Sequence, residues 1–206
     1  MKLQTLPYKS RSQAMQDIFV YNVVGHGGTY IEIGAYKPAS KNNTYVLETA
    51  LGYRGFSVEL DQRWRDAWAQ CPERRNPIFW ADALTFDYAA HCRDHGLPQH
   101  ISYLSCDIEP PTNTLAALKQ VIGQGVSFDC ITFEHDRSNP GFADLLDLDI
   151  DRQATEFLAQ HGYRVAVSDV ATNKNPEYIF ETWYVRQDMD WPTMTFAEWR
   201  QKYLTL

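Results

Sequence analysis

Five short runs rich in β-branched and aromatic residues recur along this chain, with stretches of helical apolar spacing between them, and this alternation most narrows the folds open to it. The runs are Thr29-Tyr30-Ile31-Glu32-Ile33, Phe56-Ser57-Val58-Glu59-Leu60, Ile78-Phe79-Trp80-Ala81, Ile101-Ser102-Tyr103-Leu104-Ser105-Cys106 and Phe128-Asp129-Cys130-Ile131-Thr132-Phe133. Runs of this length and composition read as buried strands, whereas apolar residues three and four apart read as one face of a helix. Helices are predicted over 42–51, 63–70, 86–95 and 112–122, the third stopped by Gly96. Strands and helices in strict alternation, joined by right-handed crossovers, build a doubly wound, mostly parallel α/β sheet with helices on both faces.

The ends of the chain add two features. Residues 12–24 carry a helical stripe (Met15, Ile18, Phe19, Val23) behind Ser12 as the predicted N-cap, and Gly25, Gly27 and Gly28 stop it. After a helix at 154–161 and Gly162, two further strands at 163–167 and 178–185 flank the turn Asn173-Lys174-Asn175-Pro176 and predict an antiparallel hairpin on the sheet edge. The 206 residues contain no long polar or Pro/Gly/Ser-rich connector. We therefore expect a single domain spanning 1–206, with 1–28 as an N-terminal helical extension.

Charge and cysteine usage limit the partners. The formal net charge of -7 repels phosphate backbones. The one Arg-rich stretch, Arg63, Arg65, Arg74 and Arg75, is interrupted by Asp61, Asp66 and Glu73, which reads as a solvated helix face and its following turn. No nucleic-acid or membrane partner is expected, and the longest apolar runs fall well short of a membrane span. Cys71, Cys92, Cys106 and Cys130 show no CxxC pairing, and the N-terminus lacks the layout of a signal peptide, so the expected location is cytoplasmic. Cys106 and Cys130 occupy similar places in the fourth and fifth strands and are expected to be buried structural thiols, with a neighbouring pair as the alternative.

Ligands of a doubly wound sheet sit beyond the carboxyl ends of its strands, so the residues ending each run should line one crevice. They are Glu32 and Gly34, Glu59 and Asp61, Asp82, Asp107 and Glu109, then Glu134, His135 and Asp136. Each strand thus delivers an acid to the same edge. A strand-end Asp can merely cap the next helix, but the whole set fits a cationic, hydroxyl-rich ligand such as a sulfonium nucleoside. A dinucleotide fits poorly, because the Gly-x-Gly-x-x-Gly turn that cradles a pyrophosphate is missing. Glu59 ends the second strand about 25 residues after the first strand's glycine, close to where an acid meets ribose in nucleotide-binding folds.

Several segments also carry a family likeness: Ser12-Gln13-Ala14-Met15-Gln16-Asp17, Gly28-Thr29-Tyr30-Ile31-Glu32-Ile33-Gly34-Ala35, Asn43-Thr44-Tyr45-Val46-Leu47-Glu48 and Gly52-Tyr53-Arg54-Gly55-Phe56-Ser57-Val58-Glu59. In this order and spacing the chain resembles the FkbM-type methyltransferases, with weaker likeness through Leu104 to Glu109, Ile131 to His135, Gly162-Tyr163 and Phe180 to Trp183. The resemblance implies a Rossmann-like class I methyltransferase fold and S-adenosylmethionine as cofactor. It implies Glu32 and Gly34 near the methionine end, Glu59 on the ribose, Asp82 near the adenine, and Gln13 and Asn43 in the pocket; Leu60 and Ala83 complete the cofactor-binding set. It also implies O-methylation of a saccharide or natural-product hydroxyl. Where many relatives have an Asp-x-Glu-Gly turn followed by another Glu, this chain has Asp107-Ile108-Glu109-Pro110-Pro111-Thr112-Asn113, stiffer and one acid poorer.

Methyl transfer from a sulfonium needs the acceptor aligned and its proton removed. His135, with Glu134 beside it, is the expected base, and Asp107 and Glu109 are the other candidates. A divalent metal such as magnesium on Asp107, Glu109 and Glu134 is the rival device, and a catalytically idle nucleoside-binding domain is the rival function. Residues 137–151, broken by Pro140-Gly141, are the expected lid over the acceptor. Trp183 and Trp191 are expected in the core, with stacking on a sugar as the alternative.

Overall fold

The computed structural model describes residues 8–172 and 175–204. Eight strands form one sheet: β1 (Thr29–Ile33), β2 (Arg54–Glu59), β3 (Ile78–Trp80), β4 (His100–Cys106), β5 (Ser127–Glu134), β6 (Tyr163–Thr172), β7 (Asn175–Arg186) and β8 (Met194–Thr195). Their spatial order is β3-β2-β1-β4-β5-β7-β6-β8. Neighbours among β1 to β5 are parallel, whereas β7 runs antiparallel to both β5 and β6. The predicted doubly wound sheet with an antiparallel C-terminal hairpin is therefore the observed fold. The hairpin strands are longer than the sequence indicates, and the predicted turn residues Asn173 and Lys174 lie outside the described residues.

Alternating side chains divide the core into two faces. On one, Ile31, Ile33, Phe56, Leu104, Ile131 and Phe133 pack under Cys92 of α4 (Tyr88–Asp94), Leu118 of α5 (Pro111–Gly123) and Leu158 of α6 (Ile150–Gln160) once the shorter helices α2 (Tyr45–Thr49) and α3 (Arg65–Ala69) have been passed along the chain. On the other, Tyr30, Tyr103, Cys130 and Trp183 meet Phe19 of α1 (Gln16–Val24), Leu47 of α2 and Trp199 of α7 (Phe196–Leu204). The two cysteines thus lie on opposite faces of the sheet: Cys106 pairs in register with Phe133 and Cys130 with Tyr103, so they are the buried thiols expected and not a neighbouring pair. Trp183 and Trp191 are core residues. The Trp183 ring packs edge-on against Trp199 at 5.0 Å, and Phe19 lies between the two tryptophans.

Three other expectations change. The first helix begins only at Gln16, because Met15 adopts a left-handed conformation; Ser12 still serves the helix start by accepting the Asp17 N–H at 3.1 Å. Residues 42–44 stay outside α2, since Asn42 turns back to bond the Thr44 backbone and hydroxyl. Arg74 is not solvated: its guanidinium is almost wholly buried, Nε donating to Glu48 at 2.7 Å and Nη1 to Pro38 O and Asn42 Oδ1 at 2.8 Å. Its Nη2 donates to Thr44 Oγ1 at 2.9 Å and lies 3.5 Å from Glu32, and the plane stacks over Trp68 at 4.4 Å. The edge strand β8 and helix α7, which cover the hairpin, have no counterpart in the predicted elements. Among the described residues no helix is long and apolar enough to cross a membrane.

Candidate active site

The C-terminal edge of the sheet opens into a cleft of about 710 Å³. It is lined by eight carboxylates, Glu32, Glu59, Asp61, Asp82, Asp107, Glu109, Glu134 and Asp136, against two cations, Lys41 and Arg63. The strand ends therefore meet as expected. Every residue of the predicted cofactor set lines this cleft: Gln13, Glu32, Gly34, Asn43, Glu59, Leu60, Asp82 and Ala83.

Backbone geometry brings the β1 and β4 ends together. The Asp107 N–H donates to Ile33 O, and Gly34, at φ +83°, passes so close to Asp107 that a Cβ would stand 1.6 Å from its carbonyl oxygen. Only glycine accepts both the conformation and the contact. Beyond Gly34 the loop returns across the cleft, held below by Arg74 and above by Asn43, whose amide donates to Ser105 Oγ at 3.0 Å. Glu32 lies beneath this loop, accepting the Ser57 hydroxyl at 2.7 Å; burial pushes its carboxyl up while Arg74 opposes the shift.

Glu59 is held from both sides. One carboxylate oxygen accepts the Tyr36 N–H and the other the Asp61 N–H, both at 2.7 Å, and each oxygen keeps a lone pair for a further donor. Beside it, Leu60, Ala81, Ala83, Leu84 and Ile108 supply apolar surface, with Leu60 two-thirds exposed. Asp82 accepts the Leu84 N–H at 2.9 Å, so it caps its own turn while facing the cleft. Asp61 is bidentate with Arg63, which removes that cation from other work.

The opposite half of the cleft is built by β4, β5 and β7. The carboxyls of Asp107 and Glu134 share a hydrogen bond; burial raises both, Asp107 to about 6 against the bond from Glu134, which lowers it, and Glu134 well above the usual range with the charge of Asp107 adding, and Asp136 raises each further. Two acids this close and this poorly solvated keep one proton between them. Asp136, in a left-handed turn, accepts the Tyr178 hydroxyl at 2.8 Å and the Asn139 amide at 3.1 Å, and all three face the cleft. Behind them Glu181, paired in register with Glu134, accepts Gln16 Nε2 at 2.8 Å and Trp183 Nε1 at 2.7 Å; burial raises its carboxyl to about 8.

His135 does not join them. Its side chain is buried away from the cleft, with Nε2 3.3 Å from Thr182 Oγ1 and 3.7 Å from Asp151. Burial lowers it to about 4, so the ring is neutral near pH 7. The residue after Glu134 points to the other side of the strand, which period-two alternation dictates. Asp107, Glu109 and Glu134 all line the cleft, but among the described residues no three acid, His or Cys side chains converge as a metal group. Within the predicted lid, 137–151, residues Pro140–Leu148 form a 3₁₀ segment with no buried residue and with Leu146 and Leu148 exposed, whereas Ile150 is buried at the start of α6. The strand-end reading missed Asn139, Tyr178 and Lys41; Tyr178 was within reach, because an antiparallel strand presents its beginning, not its end, to this edge.

No protein-family profile matches the chain, and no curated sequence resembles it detectably. Solved structures do resemble it. A candidate rRNA methylase from Clostridium thermocellum superposes with a TM-score of 0.57 at 10% identity, over 87% of this chain and 97% of that one. Aeropyrum pernix fibrillarin, solved with bound S-adenosyl-L-methionine, gives 0.55 at 14% identity over 85% and 74%. The plantazolicin methyltransferase BpumL, in complex with SAH, gives 0.55 at 8% identity over 84% and 82%. The chain has the Rossmann-like fold that these methyltransferases share.

Proposed function

We propose that this chain is an S-adenosylmethionine-dependent methyltransferase acting on a hydroxyl oxygen, with a saccharide or natural-product hydroxyl as acceptor, as in the FkbM-type enzymes it resembles. The observation that carries the reading is Glu59. A carboxylate fixed by two backbone N–H groups at the second strand's end, beside an apolar floor, is what a ribose diol and an attached adenine require. The donor set fits the cofactor: Glu59 for the ribose hydroxyls, Leu60, Ala83 and Asp82 for the adenine, and Glu32, Gly34, Gln13 and Asn43 around the methionine end.

When bound, the cofactor supplies an electrophilic methyl carbon, and the chain's own task is to align the acceptor and take its proton. The Asp107–Glu134 pair does the second. With Asp107 near 6 the pair holds one ionised carboxylate at neutral pH, close to the pKa a general base needs. Asp136, Tyr178 and Asn139 offer acceptors and donors that orient a polyol. Some structural neighbours are RNA methyltransferases by name, but eight carboxylates against two cations make this cleft hostile to a phosphate backbone, which favours a small acceptor. Four free thiols suit a reducing, cytoplasmic location.

Calorimetric titration with S-adenosylmethionine and its demethylated product, beside Glu59→Ala and an NAD control, tests the reading. Two charge-assisted hydrogen bonds at about 1.5 kcal/mol each give the variant about a hundredfold weaker binding. Absence of binding to either sulfur nucleoside by folded protein would sink it. Tight binding with no turnover on any hydroxylated acceptor would favour an idle nucleoside-binding domain, the reading that the altered Asp107 to Asn113 turn supports.

A further inference from the structure

The cations near the cleft are committed. Arg74 compensates Glu32 and Arg63 grips Asp61, whereas Glu59, Asp82, Glu109 and Asp136 have no cation within ion-pair distance among the described residues. Lys41 is the free cation: it lines the cleft, and among the described residues its ammonium has no carboxylate within ion-pair distance. Its backbone is fixed by what surrounds it. The residue sits at φ +54°, the next N–H, that of Asn42, donates to Arg11 O at 3.2 Å, and Asn43 is anchored to Ser105 of β4. The lysine thus stands in the loop after β1, two residues before the Asn43 that is anchored to β4 and beside the segment that carries Gln13.

We propose that Lys41 is the specificity residue for the amino-acid end of the cofactor, pairing with its α-carboxylate. This inference rests on the cofactor reading above and concerns which atoms of that ligand are recognised. A ligand with a sulfonium, an ammonium and one carboxylate entering an acidic cleft is attracted through its cations, but its carboxylate is repelled by nearly everything it meets. A single unpaired cation at the amino-acid end removes that repulsion and fixes which way the ligand lies.

The sign of the effect separates a local pair from a general field. S-adenosylmethionine carries a net charge of +1, so deleting a cleft cation, if only the long-range field mattered, would tighten its binding. A local pair predicts the reverse. Calorimetry on the whole chain should show Lys41→Ala weakening S-adenosylmethionine and S-adenosylhomocysteine by about tenfold and Lys41→Glu by more, with Lys41→Arg near wild type. 5′-Methylthioadenosine keeps the nucleoside and sulfur but lacks the amino-acid end, and its affinity should change less than about twofold, which also certifies that the variants are folded. Unchanged or tighter S-adenosylmethionine binding in Lys41→Ala overturns the proposal, as does equal weakening of all three ligands. If the wild-type chain binds none of them, the cofactor reading itself fails and the lysine has no such ligand to hold.

Discussion

Replacing the buried Arg74 by methionine should destabilise this protein, and the cost follows from its partners. Methionine preserves much of the volume but removes the one cation beside the buried Glu32 and Glu48 carboxyls and the guanidinium donor to the Pro38 carbonyl; Glu32 is left with the Ser57 hydroxyl and Glu48 with the Tyr30 hydroxyl and two backbone N–H groups. Removing one partner of a buried ion pair costs about 3–5 kcal/mol. At this chain length that corresponds to a fall in Tm of roughly 6–20 °C. Urea denaturation and thermal melts would read it directly. The pH dependence supplies a second signature. Burial already raises the Glu32 carboxyl and Arg74 holds it back, so without the arginine its folded-state pKa climbs further. A raised carboxyl contributes stability that is present below its unfolded pKa and lost as pH rises through the folded value. The deficit of Arg74→Met should therefore shrink on mild acidification and grow toward alkaline pH, and adding Glu32→Gln should recover part of it. A loss below about 1 kcal/mol, flat with pH, would show that the guanidinium is solvated and refute the buried network.

Other outcomes follow from the same geometry. Methyl transfer should fall as pH drops through about 6, where Asp107 takes up a proton, and Asp107→Asn should cut kcat by about 10²-fold or more with little change in cofactor affinity; a flat profile from pH 5 to 8 would remove the carboxyl pair as base. His135→Asn should lower stability while leaving the acid limb of that profile in place, because the ring lies behind the cleft; loss of the limb would restore the histidine to the chemistry. Glu181, raised to about 8, makes the chain lose stability as pH rises from about 4.3, its unfolded value, through about 8. Glu181→Gln should reduce that slope in a denaturation series, leaving the share of Glu32, Asp107 and Glu134, and an unchanged slope would mean that the carboxyl is ionised in the fold.

The parts of the fold that the sequence reveals are those decided by local periodicity. The five runs ending at Ile33, Leu60, Ala81, Cys106 and Phe133 alternate with helices, and their order along the chain forces the cleft to one edge. Period two also tells, at each strand end, that adjacent residues diverge, and this separates Glu134 from His135; chemical preference for histidine as a base obscured a geometric rule already present. Arg74 could not be read the same way. Its partners Glu32 and Glu48 lie 42 and 26 residues away, and nothing local distinguishes its environment from that of Arg75. Lys41 is equally silent in sequence, since an unpaired cation is defined by what the rest of the cleft has already compensated. The helix α7 escaped because Phe196, Trp199 and Tyr203, its buried face, follow a two-residue strand too short to announce itself.

The insertion of β7 between β5 and β6 has a consequence for how the chain comes into being. Synthesis delivers β5 long before β7, so one edge of a largely buried central strand stays bare until some fifty residues later, when Phe180 O at last receives the His135 and Asp136 amides. During that interval the growing polypeptide offers a ready template for a stray strand from another molecule. The same delay means that Tyr178 and Asp136 meet only at the final stage, so a product cut short before residue 178 would carry most of the acidic lining of the cleft yet lack the hydroxyl that Asp136 accepts.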